Sequence, residues 1–122
     1  MIRAMTPAEL VQAQLDAWNA HDVETLLALY APDACQYEYP DRLLAQGSAA
    51  LRERMAARFR SAKPRAELLH RTALGRTVID HERIVSGSAA RELIAIYDVN
   101  DDGRIASARF VFGEEQPAAD GS

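Results

Sequence analysis

Residues 15–40, LDAWNAHDVETLLALYAPDACQYEYP, form the stretch that decides the fold of this chain. Apolar residues recur at helical spacing on both sides of a break just before Asp22, which predicts two short amphipathic helices joined by a corner. Asp22 is suited to cap the second helix, and Ala31-Pro32-Asp33 is expected to end it, since proline disfavours a helical residue before it. Residues 35–39 then have the composition of a strand that stops at Pro40. Two helices folded onto a strand can close one end of a pocket.

The rest of the chain continues with one more helix and then changes to strands. Residues 48–59 follow Gly47 and predict a third helix, because Leu51, Met55 and Phe59 share one side of it. After residue 64, turn signals separate four segments that favour antiparallel strands, residues 65–74, 77–85, 90–99 and 104–113. Helices followed by strands indicate an α+β fold, a curved antiparallel sheet wrapped around three helices of the N-terminal half. We expect a single domain over residues 1–114 and a disordered polar tail over residues 115–122.

Composition narrows the classes of function. The 14 basic and 18 acidic side chains are interspersed and give a net charge of -4, which argues against a nucleic-acid partner. No apolar run approaches the roughly 20 residues that span a bilayer, and the N-terminus lacks a signal-peptide core, so we expect a cytoplasmic protein with no membrane partner. Cys35 is the only cysteine, which excludes an intramolecular disulfide and a cysteine-rich zinc site.

Four short blocks carry a resemblance to a known family. They are AWNAHD at 17–22, LYAPDA at 29–34, GSAALRE at 47–53, and DGRI at 102–105 followed by FGE at 112–114. In this order they resemble the nuclear transport factor 2-like superfamily, in particular its ketosteroid-isomerase-like and polyketide-cyclase-like branch. The resemblance implies a cone-shaped α+β barrel with an internal apolar pocket for a small apolar molecule. It also implies a homodimer formed through the outer face of the sheet.

The resemblance also allows the isomerase mechanism to be tested residue by residue. That reaction uses a carboxylate base and two oxyanion donors, a tyrosine and a protonated aspartic acid. The donor positions fall on Gln14 and near Ala95, and the base position falls on Tyr39, or on Glu38 by ungapped counting. Two of the three groups are therefore missing, and we do not expect classical steroid isomerisation. Tyr30 matches a tyrosine that supports the oxyanion network in some isomerases.

The polar residues are densest at His70-Arg71 and at residues 80–83, both within predicted strands. Alternation sends His81 to one face and Asp80 with Glu82 to the other. The preferred register turns His81 into the pocket, where its neutral-range titration suits acid–base work, whereas a slip of one residue would substitute Asp80 and Glu82. Since adjacent strand residues point to opposite faces, we expect no metal site here.

The patterns together with the resemblance predict a small-molecule enzyme or binder with an apolar pocket. If the protein is catalytic, the resemblance implies cofactor-independent proton transfer on a small apolar substrate, as in an isomerase, dehydratase or cyclase. The catalytic candidates are His81, Glu38 and Tyr39. The candidates for lining the pocket are Gln14, Trp18, Tyr30, Tyr37, Met55, Phe59, Tyr97, Phe110 and Phe112. The alternative is a non-enzymatic module of the same fold that binds a ligand or dimerises, because one fold hosts many functions.

Overall fold

The computed structural model describes residues 4–118, which form three helices and seven strands. In chain order these are α1 (Pro7–Asn19), α2 (Val23–Ala28), β1 (Tyr30–Glu38), β2 (Arg42–Gln46), α3 (Ser48–Ser61), β3 (Arg65–Leu74), β4 (Thr77–Ser86), β5 (Ala89–Val99), β6 (Ile105–Phe112) and β7 (Gln116–Pro117). The predicted α+β class is confirmed. In the described part of the chain, no helix has both the length and the apolar character needed to cross a bilayer.

All seven strands belong to one curved, unclosed sheet. The strand order is β2-β1-β6-β5-β4-β3, with β7 paired to β5, and every pairing is antiparallel except that of β1 with β6. The helices pack against one face of this sheet, where Val11, Leu26 and Leu51 meet Val78 and Tyr97 in the main core. Burial of these apolar side chains provides the main stabilisation of the fold.

Local signals fix the helix ends. Thr6 and Glu9 form a reciprocal capping box at the start of α1, and the Asp22 side chain accepts the backbone N–H of Thr25 at 3.1 Å to cap α2. At the corner between these helices, the Asn19 side chain donates to the carbonyl of Ala66 and accepts its N–H. The corner is therefore attached to the start of β3.

Three segments differ from the predictions. Strand β1 starts at Tyr30 rather than at residue 35, and Pro32 is accommodated where the pairing with β6 is irregular between Tyr30 and Cys35. Strand β2 was not predicted, since only Ala45 of its five residues is buried. Within the predicted tail, Gln116–Pro117 pair with β5, while residues 119–122 lie outside the described residues.

Candidate functional site

A cavity of about 600 Å³ lies between the helices and the inner face of the sheet. Its apolar wall combines helix residues with residues of β5 and β6, namely Trp18, Met55, Leu93, Phe110 and Phe112. Polar and charged side chains also line the cavity, both from the helices and from the sheet. The cavity has the size of a small-molecule site, and it is more polar than the sequence predicted.

The register of β4 decides which polar groups reach the cavity. Asp80 pairs with Ala95 and Glu82 with Leu93 on β5, so both acids lie on the inner face of the sheet. His81 lies on the outer face, where its side chain is 43% exposed and its Nε2 is 2.7 Å from Oε1 of Glu92. The predicted register was therefore wrong by one residue, and Glu82 lines the cavity instead of His81.

Behind the cavity wall, Asp80 forms an ion pair with Arg71 of β3. The Arg71 Nε and Nη2 donate to the two carboxylate oxygens at 2.7 and 2.9 Å, and Nη1 donates to Oε1 of Gln12 at 2.9 Å. Asp80 is fully buried, so this two-bond contact is what allows its charge to stay in the core. The bond to Asp80 in turn raises the pKa of Arg71.

Glu82 is the titratable group of the cavity. It is 5% exposed, and burial together with the charge and hydrogen bonding of Asp80 raises its pKa from 4.5 to about 7, against the opposing charge of Arg71. Its Oε2 has no hydrogen-bond partner among residues 4–118. A carboxyl group with this pKa can both donate and accept a proton near neutral pH.

Neutral hydrogen-bonding groups line the same cavity as Glu82. The Tyr97 hydroxyl donates to Oε1 of Gln14 at 3.2 Å. Burial raises the pKa of Tyr97 and of Tyr30, and the Glu82 charge adds to both shifts, so both hydroxyls keep their protons. Hydrogen bonds from Gln36 and Gln14 partly oppose the shift of Tyr30. The cavity therefore holds two protonated tyrosine hydroxyls together with a carboxyl group whose pKa is about 7.

The residues predicted at the isomerase positions are divided between the cavity and the surface. Gln14 and Ala95 are buried on the inner side, and Gln14 lines the cavity. Glu38 and Tyr39 do not line it: Glu38 pairs with Arg42 at 2.7 Å, and Tyr39 is 54% exposed. Neither residue is positioned to act as a base on a ligand in this cavity.

Most of the residues predicted to line the pocket do so. The side chains in the cavity wall are Gln14, Trp18, Tyr30, Met55, Tyr97, Phe110 and Phe112. Phe59 lies behind the wall with its ring 4.9 Å from that of Trp18, and Tyr37 lies elsewhere, under the guanidinium of Arg109 at 4.6 Å. Neither Phe59 nor Tyr37 therefore lines this cavity.

Sequence reasoning noted Arg71 as a polar strand residue but missed its ion pair with Asp80, and it missed the polar contact between Arg54 and Gln36. The Arg54 Nε donates to Oε1 of Gln36 at 3.0 Å, and both side chains line the cavity. A signal for Arg71 was present, because residues 71 and 80 are symmetric about the turn between β3 and β4 and pair in register. Among the described residues, no group of three His, Cys, Asp or Glu side chains is arranged to hold a metal ion.

Comparisons with known proteins agree with this architecture. A family model described as SnoaL-like domain matches residues 11–108. No curated protein matches the chain.

Three solved structures illustrate the likeness. A cystatin-fold protein of Novosphingobium aromaticivorans is 25% identical, with a TM-score of 0.83 over 88% of this chain and 99% of the other. A candidate polyketide cyclase of Sinorhizobium meliloti is 27% identical, with a TM-score of 0.72 over 83% and 92%. An LEH-like epoxide hydrolase of M. tuberculosis is 19% identical, with a TM-score of 0.71 over 87% and 81%. The chain belongs to the SnoaL-like domain family of the nuclear transport factor 2-like superfamily.

Proposed function

We propose that this protein is a cofactor-independent enzyme in which Glu82 moves a proton on a small, largely apolar substrate. One observation carries the proposal, the nearly buried Glu82 carboxyl group that lines the cavity with a pKa of about 7. Catalytic carboxyl groups are often tuned towards neutral pH by burial and by a second acid, as Glu82 is here.

The chemistry follows from the groups around Glu82. Ionised Glu82 accepts a proton from a substrate carbon next to a carbonyl group, and the electron pair of the broken C–H bond moves onto the carbonyl oxygen. The hydroxyl of Tyr30 and the NH₂ group of the Gln14 amide line the same cavity and can donate hydrogen bonds to that oxygen, while the Tyr97 hydroxyl holds Gln14 through its Oε1. The proton held on Glu82 then returns to another carbon in an isomerisation, or to a departing hydroxyl in a dehydration. In a cyclisation the enolate carbon bonds to a second carbonyl carbon of the substrate, and the proton goes to the oxygen of that carbonyl group.

A 3-keto steroid is not the substrate class that we expect. Ala95 has no hydrogen to donate where the isomerases carry an acid, and Gln14 is a weaker donor than a phenol. One oxyanion donor is worth about 2.7–4 kcal/mol of transition-state stabilisation. We therefore expect a proton transfer that needs less stabilisation of the enolate oxygen than steroid isomerisation does. The likeness to a candidate polyketide cyclase supports an oxygen-bearing substrate with an apolar body.

Deuterium exchange tests the proposal whichever product the enzyme finally forms. Aryl ketones that stabilise the protein against heat would be incubated with it in D₂O, and deuterium next to the carbonyl group would be measured by NMR. We expect exchange catalysed by the native protein and lost by at least about a hundredfold in Glu82→Gln. Glu82→Asp should retain part of the activity, since it keeps a carboxyl group.

The matched control is Glu38→Gln, which removes a half-buried glutamate outside the cavity and should leave exchange unchanged. Full exchange in Glu82→Gln would exclude Glu82 as the base. Binding of the ketones without exchange would instead favour the non-enzymatic ligand-binding module.

A further inference from the structure

Three guanidinium groups line the cavity in addition to the acid–base group. Arg54 and Arg58 are one turn apart on α3, and Arg91 comes from β5 with its guanidinium 5.5 Å from the ring centre of Phe112. Within residues 4–118, none of the three has a carboxylate within ion-pair distance.

The outward arginines of the same helix behave differently. Arg52 pairs with Glu24 and Arg60 pairs with Glu53, so α3 neutralises its outer cations while the cavity-facing ones stay unpaired. Unpaired charge that is partly removed from water is costly unless an opposite charge joins it. The helix therefore presents its free positive charge to the cavity.

The cost of an unpaired, partly buried charge is clearest at Arg54. It is half-buried, its Nε contacts only the neutral amide of Gln36, and burial together with the charge of Arg58 lowers its pKa. Arg58 is exposed and lies at the rim of the cavity. An anion between these two guanidinium groups would relieve their repulsion and accept their free N–H groups.

The balance of charge in the wall also favours an anion, and a monoanion when Glu82 is ionised. The two lining acids are Glu82 and Glu115, which leaves a net charge of +1 when Glu82 is ionised and +2 when it is protonated. The Trp18 Nε1–H is buried in the same wall and has no acceptor within the described residues.

We propose that the ligand of this cavity is an organic monocarboxylate, an apolar body whose carboxylate is bound by Arg54 and Arg58. This inference rests on the proposed function in that it takes the same cavity as the substrate site. It changes the substrate class from a neutral apolar molecule to an amphiphilic acid. The apolar body would lie against Trp18, Phe110 and Phe112, with Glu82 beside it.

Matched ligands test the inference by calorimetry. Aryl-alkyl carboxylates of several sizes, such as naphthalene-2-acetate, would be compared with their primary amides and their phosphate-ester analogues. We expect each acid that binds to bind at least about tenfold more tightly than its amide. Arg58→Gln and Arg54→Gln should each weaken the acid by about tenfold and leave the amide unchanged.

The control variant is Arg60→Gln, which removes the same charge from the same helix but outside the cavity, and it should leave both affinities unchanged. Equal affinity for acid and amide across the series, including no binding of either, would overturn the inference, as would tighter binding of the phosphate esters. Failure of the proposed function is distinct, because Glu82→Gln would then leave deuterium exchange intact whatever the preference for acids.

Discussion

Glu82→Gln should change the pH dependence of stability by a predictable amount. The pKa of Glu82 is about 7 in the folded protein and 4.5 in its usual environment. One pKa unit corresponds to about 1.36 kcal/mol, so ionising Glu82 in the fold costs about 3 kcal/mol. Because the folded pKa is raised, the folded state binds more protons between these two values.

The sign follows from this proton balance. The contribution of Glu82 is fully present below pH 4.5 and is lost as pH rises through about 7. Glutamine carries no charge at any pH, so the variant lacks this loss. Relative to the native protein, Glu82→Gln should therefore gain about 3 kcal/mol between about pH 4 and about pH 8.5.

Urea unfolding of both proteins across this range measures the difference directly, because titration of the other groups cancels between them. Glu67→Gln is the control, since Glu67 is exposed on β3 and pairs with Arg83 at 3.2 Å. A gap between native and Glu82→Gln stabilities that stays constant within about 0.5 kcal/mol would refute the assignment of a raised pKa to Glu82.

Three further substitutions test the groups around this site. Asp80→Asn should destabilise the fold by about 3–5 kcal/mol in urea unfolding, because it leaves the mostly buried Arg71 guanidinium without its carboxylate. A loss of stability below about 1 kcal/mol would contradict the ion pair. Gln14→Leu should cost about 1–3 kcal/mol by leaving the Tyr97 hydroxyl without its acceptor, and the cost should shrink in a Tyr97→Phe background; additive costs would show that the two side chains do not interact. His81→Ala should leave deuterium exchange at the native rate, since His81 lies outside the cavity, and a large loss would return the base to His81.

Much of the sheet could be predicted from the sequence because its strands are long and separated by clear turns. The predicted bounds of β3, residues 65–74, are those observed, and those of β4 and β5 differ by one residue at one end. The Asn100-Asp101-Asp102-Gly103 turn, with Gly103 at a φ of 77°, connects β5 and β6 in an antiparallel hairpin. The cap of α2 at Asp22 was predicted from the sequence as well.

The sequence pattern of β4 could not show which of its residues face the cavity side of the sheet. Hydrophobicity alone would bury Ile79 and expose Asp80, yet Ile79 is 38% exposed and Asp80 is fully buried. The reversal depends on Arg71, a residue of the neighbouring strand, whose guanidinium makes burial of the acid tolerable. Tertiary pairing thus overrode the local signal at the position that decides the chemistry.

The homodimer stays a prediction. It would cover the outer face of the sheet, where Ile79, Ile94 and Val111 are exposed.

The position of Trp18 has a practical consequence. It is the only tryptophan of the chain, it lines the cavity, and its ring packs edge-on against Phe59. All indole fluorescence of this protein therefore originates at the site where a ligand would bind. Changes in emission wavelength or quenching would report occupancy directly, so the native chain can be titrated and followed in stopped-flow experiments without any attached label.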